Sequence, residues 1–96
     1  TGLRKMKPEG VIDLHGLSRE DAALGLEIFL RDCHKNGMRK VLVIHGKGNH
    51  SAGKAVLPET VRILLEQNPL AGEFGQAKPE DGGSGALWVL IRQRSR

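Results

Sequence analysis

Aromatic residues are scarce in this sequence: tyrosine is absent, and Trp88, Phe29 and Phe74 are its only aromatic rings of that kind. So few rings exclude a broad platform on which successive bases could stack. Cysteine is as sparse. Cys33 stands alone, which rules out an internal disulfide, and its place among helical apolar positions reads as a core thiol in a reducing compartment. No apolar run approaches the roughly 20 residues that a membrane-spanning helix needs, and the N-terminus has no apolar signal region. The expected setting is therefore cytoplasmic, with no membrane partner.

Nucleotide hydrolysis is excluded by what a promising loop lacks. Gly48 to Lys54 satisfies G-x-x-x-x-G-K between a strand and a helix, but Ala55 follows where a P-loop needs the Mg²⁺-binding Ser or Thr. No acidic strand end offers itself as a Walker B partner. Zinc is equally unsupported, because His15, His34, His45, His50 and Cys33 lack a zinc-site spacing.

What remains is one ordinary globular domain of 96 residues, 39% hydrophobic and 27% charged. Its formal charge of +4 favours a polyanionic partner, although Arg4, Lys5, Lys7, Arg92, Arg94 and Arg96 put part of that charge in the terminal segments. Residues 1–10 read as a basic flexible extension, 11–92 as the domain and 93–96 as a basic tail.

Val11 to His15 alternates like a strand, with Ile12 and Leu14 on one side and Val11, Asp13 and His15 on the other. Ser18 and Asp21 resemble a capping box ahead of Ala22, Ala23, Leu26, Phe29, Leu30 and Cys33 at helical spacing, and Asn36-Gly37 supplies the stop. Lys40 to His45 is a strand of the buried parallel type. A second helix is expected from about Pro58 to Gln67, a weaker strand over 70–77 and a strong last strand from Ala86 to Arg92. The order is βαβαββ. Two crossovers advancing in one direction place both helices on one face of the sheet and leave the other face relatively open.

Ligands of open α/β sheets favour the crevice beyond the carboxyl ends of parallel strands, and both His15-Gly16 and His45-Gly46 end such strands. Asp13 is spaced to orient or charge-stabilise the imidazole of His15. Glycine behind each histidine lets a substrate backbone approach closely. The loop from Gly46 through Lys47 and Gly48 offers N–H groups and an ammonium suited to phosphate. Gly82, Gly83 and Gly85 form either a plain hairpin turn or a second wall touched by phosphates. Trp88 is either core or a stacking surface on the open face. Asp13 is the one carboxylate near the crevice, so no tightly bound metal is expected; a loosely held divalent cation is left open.

Asp13-Leu14-His15-Gly16, His45-Gly46-Lys47-Gly48 and Gly82-Gly83-Ser84-Gly85-Ala86, in this order, resemble the three motifs of the Smr (small MutS-related) domain family, the first with Ile12 for its leading Leu. The resemblance implies an α+β two-layer sandwich with a mixed four-stranded sheet, similar to the C-terminal domain of translation initiation factor 3. It also implies endonuclease activity on DNA or RNA, or binding alone, with the ribosome among the partners. Members are stand-alone proteins or C-terminal domains of longer chains, and the short N-terminal extension suits either.

On this reading Asp13, His15 and His45 are the catalytic candidates, and Gly16, Gly46, Lys47, Gly48, Gly82, Gly83 and Gly85 the phosphate contacts. Few metal ligands beside two imidazoles suit acid–base cleavage of RNA, the 2′-hydroxyl attacking the adjacent phosphorus. His15 would be the base and His45 the acid or phosphate contact, an assignment that could be reversed. The alternatives are a DNA-nicking endonuclease and a non-catalytic DNA, RNA or ribosome-binding module. Oligomeric state is not legible.

Overall fold

Helix formation follows from local capping and spacing. The computed structural model describes residues 2–47 and 57–93. A single helical turn, α1 (Gly2–Lys5), precedes β1 (Gly10–Asp13). The Ser18 hydroxyl then accepts a hydrogen bond from the Asp21 N–H at 3.1 Å and starts α2 (Arg19–Lys35). This satisfies one of the free N–H groups of the first turn. Every third or fourth residue after it, Ala22, Leu26, Leu30 and Cys33, is buried. Asn36 and a left-handed Gly37 end the helix.

β2 (Lys40–Ile44) pairs in parallel with β1, placing Asp13 opposite Ile44. Pro58 then lies in the first turn of α3 (Leu57–Gln67), whose Leu57, Val61 and Leu65 face the core. β3 (Ala71–Gln76) and β4 (Ala86–Ile91) complete a four-stranded sheet of order β1-β2-β4-β3. The last strand of the chain is thus internal, antiparallel to both β2 and β3.

One cluster joins the buried faces of α2 and α3 to Leu14, Val41, Val43, Leu87, Val89 and Ile91. Both helices therefore cover the same face, as the order of elements requires, and the fold is the α+β sandwich expected. A core leucine such as Leu30, wholly buried, is worth about 2–5 kcal/mol against alanine.

The opposite face departs from expectation, because its middle is not open. Lys40 and Leu42 of β2 and Ala86 of β4 are buried there. The Lys40 ammonium donates to the Met6 carbonyl at 2.7 Å and lies 5.9 Å from the Trp88 ring centre. Burial, followed by nearby Lys78, lowers its pKa, while Asp81 acts the other way. The segment before β1 and the β3–β4 connection thus both reach over this face. Trp88 is half-buried against Gly75, where a Cβ would meet the indole at 2.9 Å, so the ring is a packed element and not a free stacking surface.

Candidate functional site

β1 ends at Asp13, two residues earlier than the alternation suggested, and that early end creates the geometry at His15. Leu14 is buried and its N–H donates to the Ile44 carbonyl at 2.7 Å, pinning the chain while the backbone turns. Within the turn, Asp13 Oδ1 accepts from the His15 main-chain N–H at 3.0 Å and stands 2.6 Å from His15 Nδ1. These hydrogen bonds, the ring contact first, hold the Asp13 carboxyl below its ordinary value of 3.8. Both side chains are open to solvent, His15 at 67% exposure. With Nδ1 turned to the carboxylate, Nε2 is the ring nitrogen left to meet a substrate. Gly16, at φ +81°, completes the turn.

The equivalent corner after β2 is built differently. His45 is only 4% exposed. Its Nδ1 stands 2.6 Å from the Gly46 carbonyl, which can only accept, so Nδ1 carries the proton. Burial pushes the pKa of the ring below its ordinary 6.5, the Gly46 carbonyl opposes this, and the charge of Arg62 adds to the lowering. His45 is accordingly a neutral imidazole at pH 7, and the two histidines are not equivalent.

Gly46 has φ +83°, and a Cβ there would lie 3.4 Å from the Cβ of His15. A Cβ on Gly85 would lie 3.5 Å from both the Gly46 carbonyl carbon and Lys47 Cγ. The three segments singled out in the sequence therefore converge: His15 against Gly46, and Gly85 against Gly46 and the exposed Lys47. The Gly85 carbonyl fastens them by accepting from the His45 and Gly46 N–H groups, at 2.9 and 3.0 Å.

That fastening changes the role of the glycines. The N–H of Gly46 is taken by Gly85, that of Gly82 by Pro79, that of Gly83 by Lys78 and that of Gly85 by Gly82. A cradle of free glycine N–H groups is thus not available at these four positions. Instead of a loose hairpin, the connection from β3 to β4 makes two successive 3₁₀ turns, Pro79–Asp81 and Gly83–Gly85. Gly48 lies outside the described residues, as do His50 and Lys54.

Arg62 was not legible as a site residue. On α3 it falls outside the apolar stripe, where an exposed arginine is unremarkable, and only the tertiary fold brings its charge to bear on His45. Among the described residues, no three His, Cys, Asp or Glu side chains converge to hold a metal ion. No helix among them is long and apolar enough to cross a membrane.

Comparison with known proteins matches the Smr domain model over residues 12–92. The chain is 36% identical over 84 residues to the ribosome rescue factor SmrB of Photobacterium profundum, covering 88% of this chain and 45% of that protein. It is 32% identical over 90 residues to endonuclease MutS2 of Caldicellulosiruptor saccharolyticus, covering 94% of this chain and 11% of that protein. Among solved structures, the Smr domain of Thermus thermophilus MutS2 superposes with a TM-score of 0.77 at 28% identity, over 86% of this chain and 98% of that one. The chain spans less than half the length of these two relatives.

Proposed function

The chain belongs to the Smr domain family, and from that membership we propose that it is an endonuclease whose preferred substrate is RNA. The observation that carries the reading is the exposed Asp13–His15 pair, held 2.6 Å apart at a corner shared with Gly46 and Lys47. A similar chain is named an endonuclease and another a ribosome rescue factor. Both names fit a polyanionic target, and RNA of the ribosome or of a message upon it is the partner this reading favours.

His15 Nε2 takes the proton of the 2′-hydroxyl as that oxygen attacks the neighbouring phosphorus. Asp13 keeps the ring oriented and stabilises its positive charge. The 5′-oxygen departs and collects a proton from Lys47 or from water, leaving a 2′,3′-cyclic phosphate and a 5′-hydroxyl. Lys47 also balances the charge that gathers on the phosphoryl oxygens. Neutral, buried His45 is a poor source of a proton. In this reading it positions the site by holding the Gly46 peptide, in place of the role expected from sequence, that of acid, phosphate contact or, with the assignment reversed, base. The reaction draws on no tightly bound metal, and a loosely held divalent cation would serve only to screen phosphate charge.

The test is incubation with single-stranded RNA, its all-deoxy counterpart and EDTA, followed by analysis of product ends. Cyclic or 3′-phosphate ends on RNA alone, with EDTA present, are expected. Metal-dependent cutting of both polymers would replace this reading with a DNA-nicking one. Binding without turnover would make the domain a recognition module.

A further inference from the structure

Five large apolar side chains are exposed among the described residues, and they fall into two groups. Leu24 and Ile28 lie on α2 and Ile63 on α3. Val11, at 57% exposure, and Leu17, at 42%, lie on neither helix: one stands two residues before Asp13, the other two residues after His15. Scattered exposed apolar residues need no explanation, but two that frame a solvent-open carboxylate and imidazole call for one.

The backbone fixes both positions. In β1 burial alternates, so that Ile12 packs against the core while Val11 shares with Asp13 the face turned away from it. Val11 stands opposite Leu42, and Leu42 opposite Trp88, which makes Val11 the exposed end of an apolar row otherwise buried or half-buried. In the neighbouring row Ile44, opposite Asp13, is half-buried against Leu42, Ala77 and Ala86. Asp13 is thus bordered by apolar surface on its own sheet face. Beyond His15, the Leu17 N–H donates to the Leu14 carbonyl at 3.1 Å, and Gly16 has φ +81°. Residues 14–17 therefore form a β-turn with its left-handed residue in third place, the form that favours glycine there. Its first residue, Leu14, is buried and its last, Leu17, is exposed, so Leu17 is held at the foot of the turn that carries His15 without entering the core.

An occupant that meets this frame and the corner together needs a phosphate for Lys47 and an uncharged, apolar-faced group for Val11 and Leu17. A nucleotide has both. We propose that Val11 and Leu17 seat the two nucleobases on either side of the phosphate held at His15 and Lys47, so that the corner takes RNA only where those two nucleotides are unpaired. The proposal rests on the reading of the corner as an RNA site and adds to it the state of the substrate. In an A-form duplex the base faces are covered by their neighbours and the edges are paired, whereas an unpaired nucleotide can turn its base onto the protein. Aliphatic side chains serve in this way where apolar residues enter between bases. Two seats also agree with the scarcity of aromatic rings, which excludes a long stacking tract.

The test measures affinity for three ligands of one length: single-stranded oligouridine, the same strand paired with its complement, and a ribose–phosphate strand lacking bases. The single strand is expected to bind tighter than either of the others by about tenfold or more. Val11→Ser and Leu17→Ser are each expected to weaken oligouridine binding about tenfold, the effect of losing one apolar contact, and to leave the base-free strand unaffected. Lys47→Ala weakens both strands. Val11→Ile and Leu17→Met, which stay apolar, keep the parent affinity. If Val11→Ser lowers the melting temperature, Val11→Thr, equal in shape and also β-branched, repeats the measurement. Equal affinity for single strand and duplex, indifference to the serine variants, or an equal loss on the base-free strand would overturn the proposal alone. So would a parent dimer in sedimentation that Val11→Ser dissociates, because β1 is an edge strand and the frame would then belong to a second copy. Failure to bind any of the three ligands would overturn the RNA reading of the corner together with it.

Discussion

One carboxylate oxygen of Asp13 holds both the ring and the backbone of His15, at 2.6 Å from Nδ1 and 3.0 Å from the main-chain nitrogen. The turn that ends β1 and the orientation of the imidazole are therefore one structural unit. Asp13→Asn keeps an oxygen for the backbone N–H but removes the charge behind the ring. Turnover is expected to fall by about 10²–10⁴ with RNA affinity close to the parent, the usual range for losing acid–base assistance. Single-turnover rates and a binding titration, measured side by side, check it. Equal losses in both would assign Asp13 to binding.

A pH effect on stability follows from His45. Its folded pKa lies below the ordinary 6.5 because burial disfavours the charged ring. The unfolded chain thus binds a proton before the folded one does. Stability is full above about pH 6.5 and falls as the pH is lowered toward the folded pKa of the ring. Thermal melts between pH 8 and 5 are expected to show this decline, and His45→Asn, which can still donate to the Gly46 carbonyl, to flatten it. In an NMR titration Arg62→Ala raises the His45 pKa, since the guanidinium charge contributes to lowering it.

Gly46→Ala meets a backbone at φ +83° and the Cβ of His15 at 3.4 Å. The left-handed conformation alone costs about 1–2 kcal/mol for an L side chain. A fall in melting temperature of several degrees is expected, on the order of 4–8 °C per kcal/mol for a domain of this size. Gly37→Ala, at φ +75° with open space around it, should cost a similar amount of stability and leave turnover intact. Calorimetry and activity together separate strain from damage to the site.

Lys47→Ala tests the electrostatic part of RNA binding. The slope of log affinity against log salt is expected to shrink by about one, and affinity to fall alike for unrelated sequences. An unchanged slope would place the phosphate elsewhere.

Much of this was written plainly in the sequence, and the reasons are local. Ser18 and Asp21 announced the start of α2, the run Val41-Leu42-Val43 announced an interior parallel strand, and the two His-Gly pairs marked the ends of adjacent parallel strands. The convergence of His15 with Gly46 and Lys47 could be anticipated because β1 and β2 share a direction, whereas Gly85 was open between a plain turn and a second wall. What escaped depended on tertiary packing. Burial of His45, the use of the Gly46 and Gly82–Gly85 N–H groups by neighbouring carbonyls, and the reach of Arg62 leave no periodic trace. The covered middle of the sheet was missed for the same reason: a lysine in β2 reads as an edge or an end until Met6, Trp88 and Asp81 are seen around it.

The placement of β4 between β2 and β3 has a consequence for how the protein comes into being. His15 and Lys47 are made early, but the carbonyl that clamps their corner belongs to Gly85, and the strand leading from it must enter a gap between two strands already synthesised. The pairing of Ile44 with Ala86 joins positions about half the chain apart, which makes it a non-local step. A growing chain that stops short of β4 carries the chemical groups without the arrangement. The corner formed by His15, Gly46, Lys47 and Gly85 is thus complete only once β4 is in place.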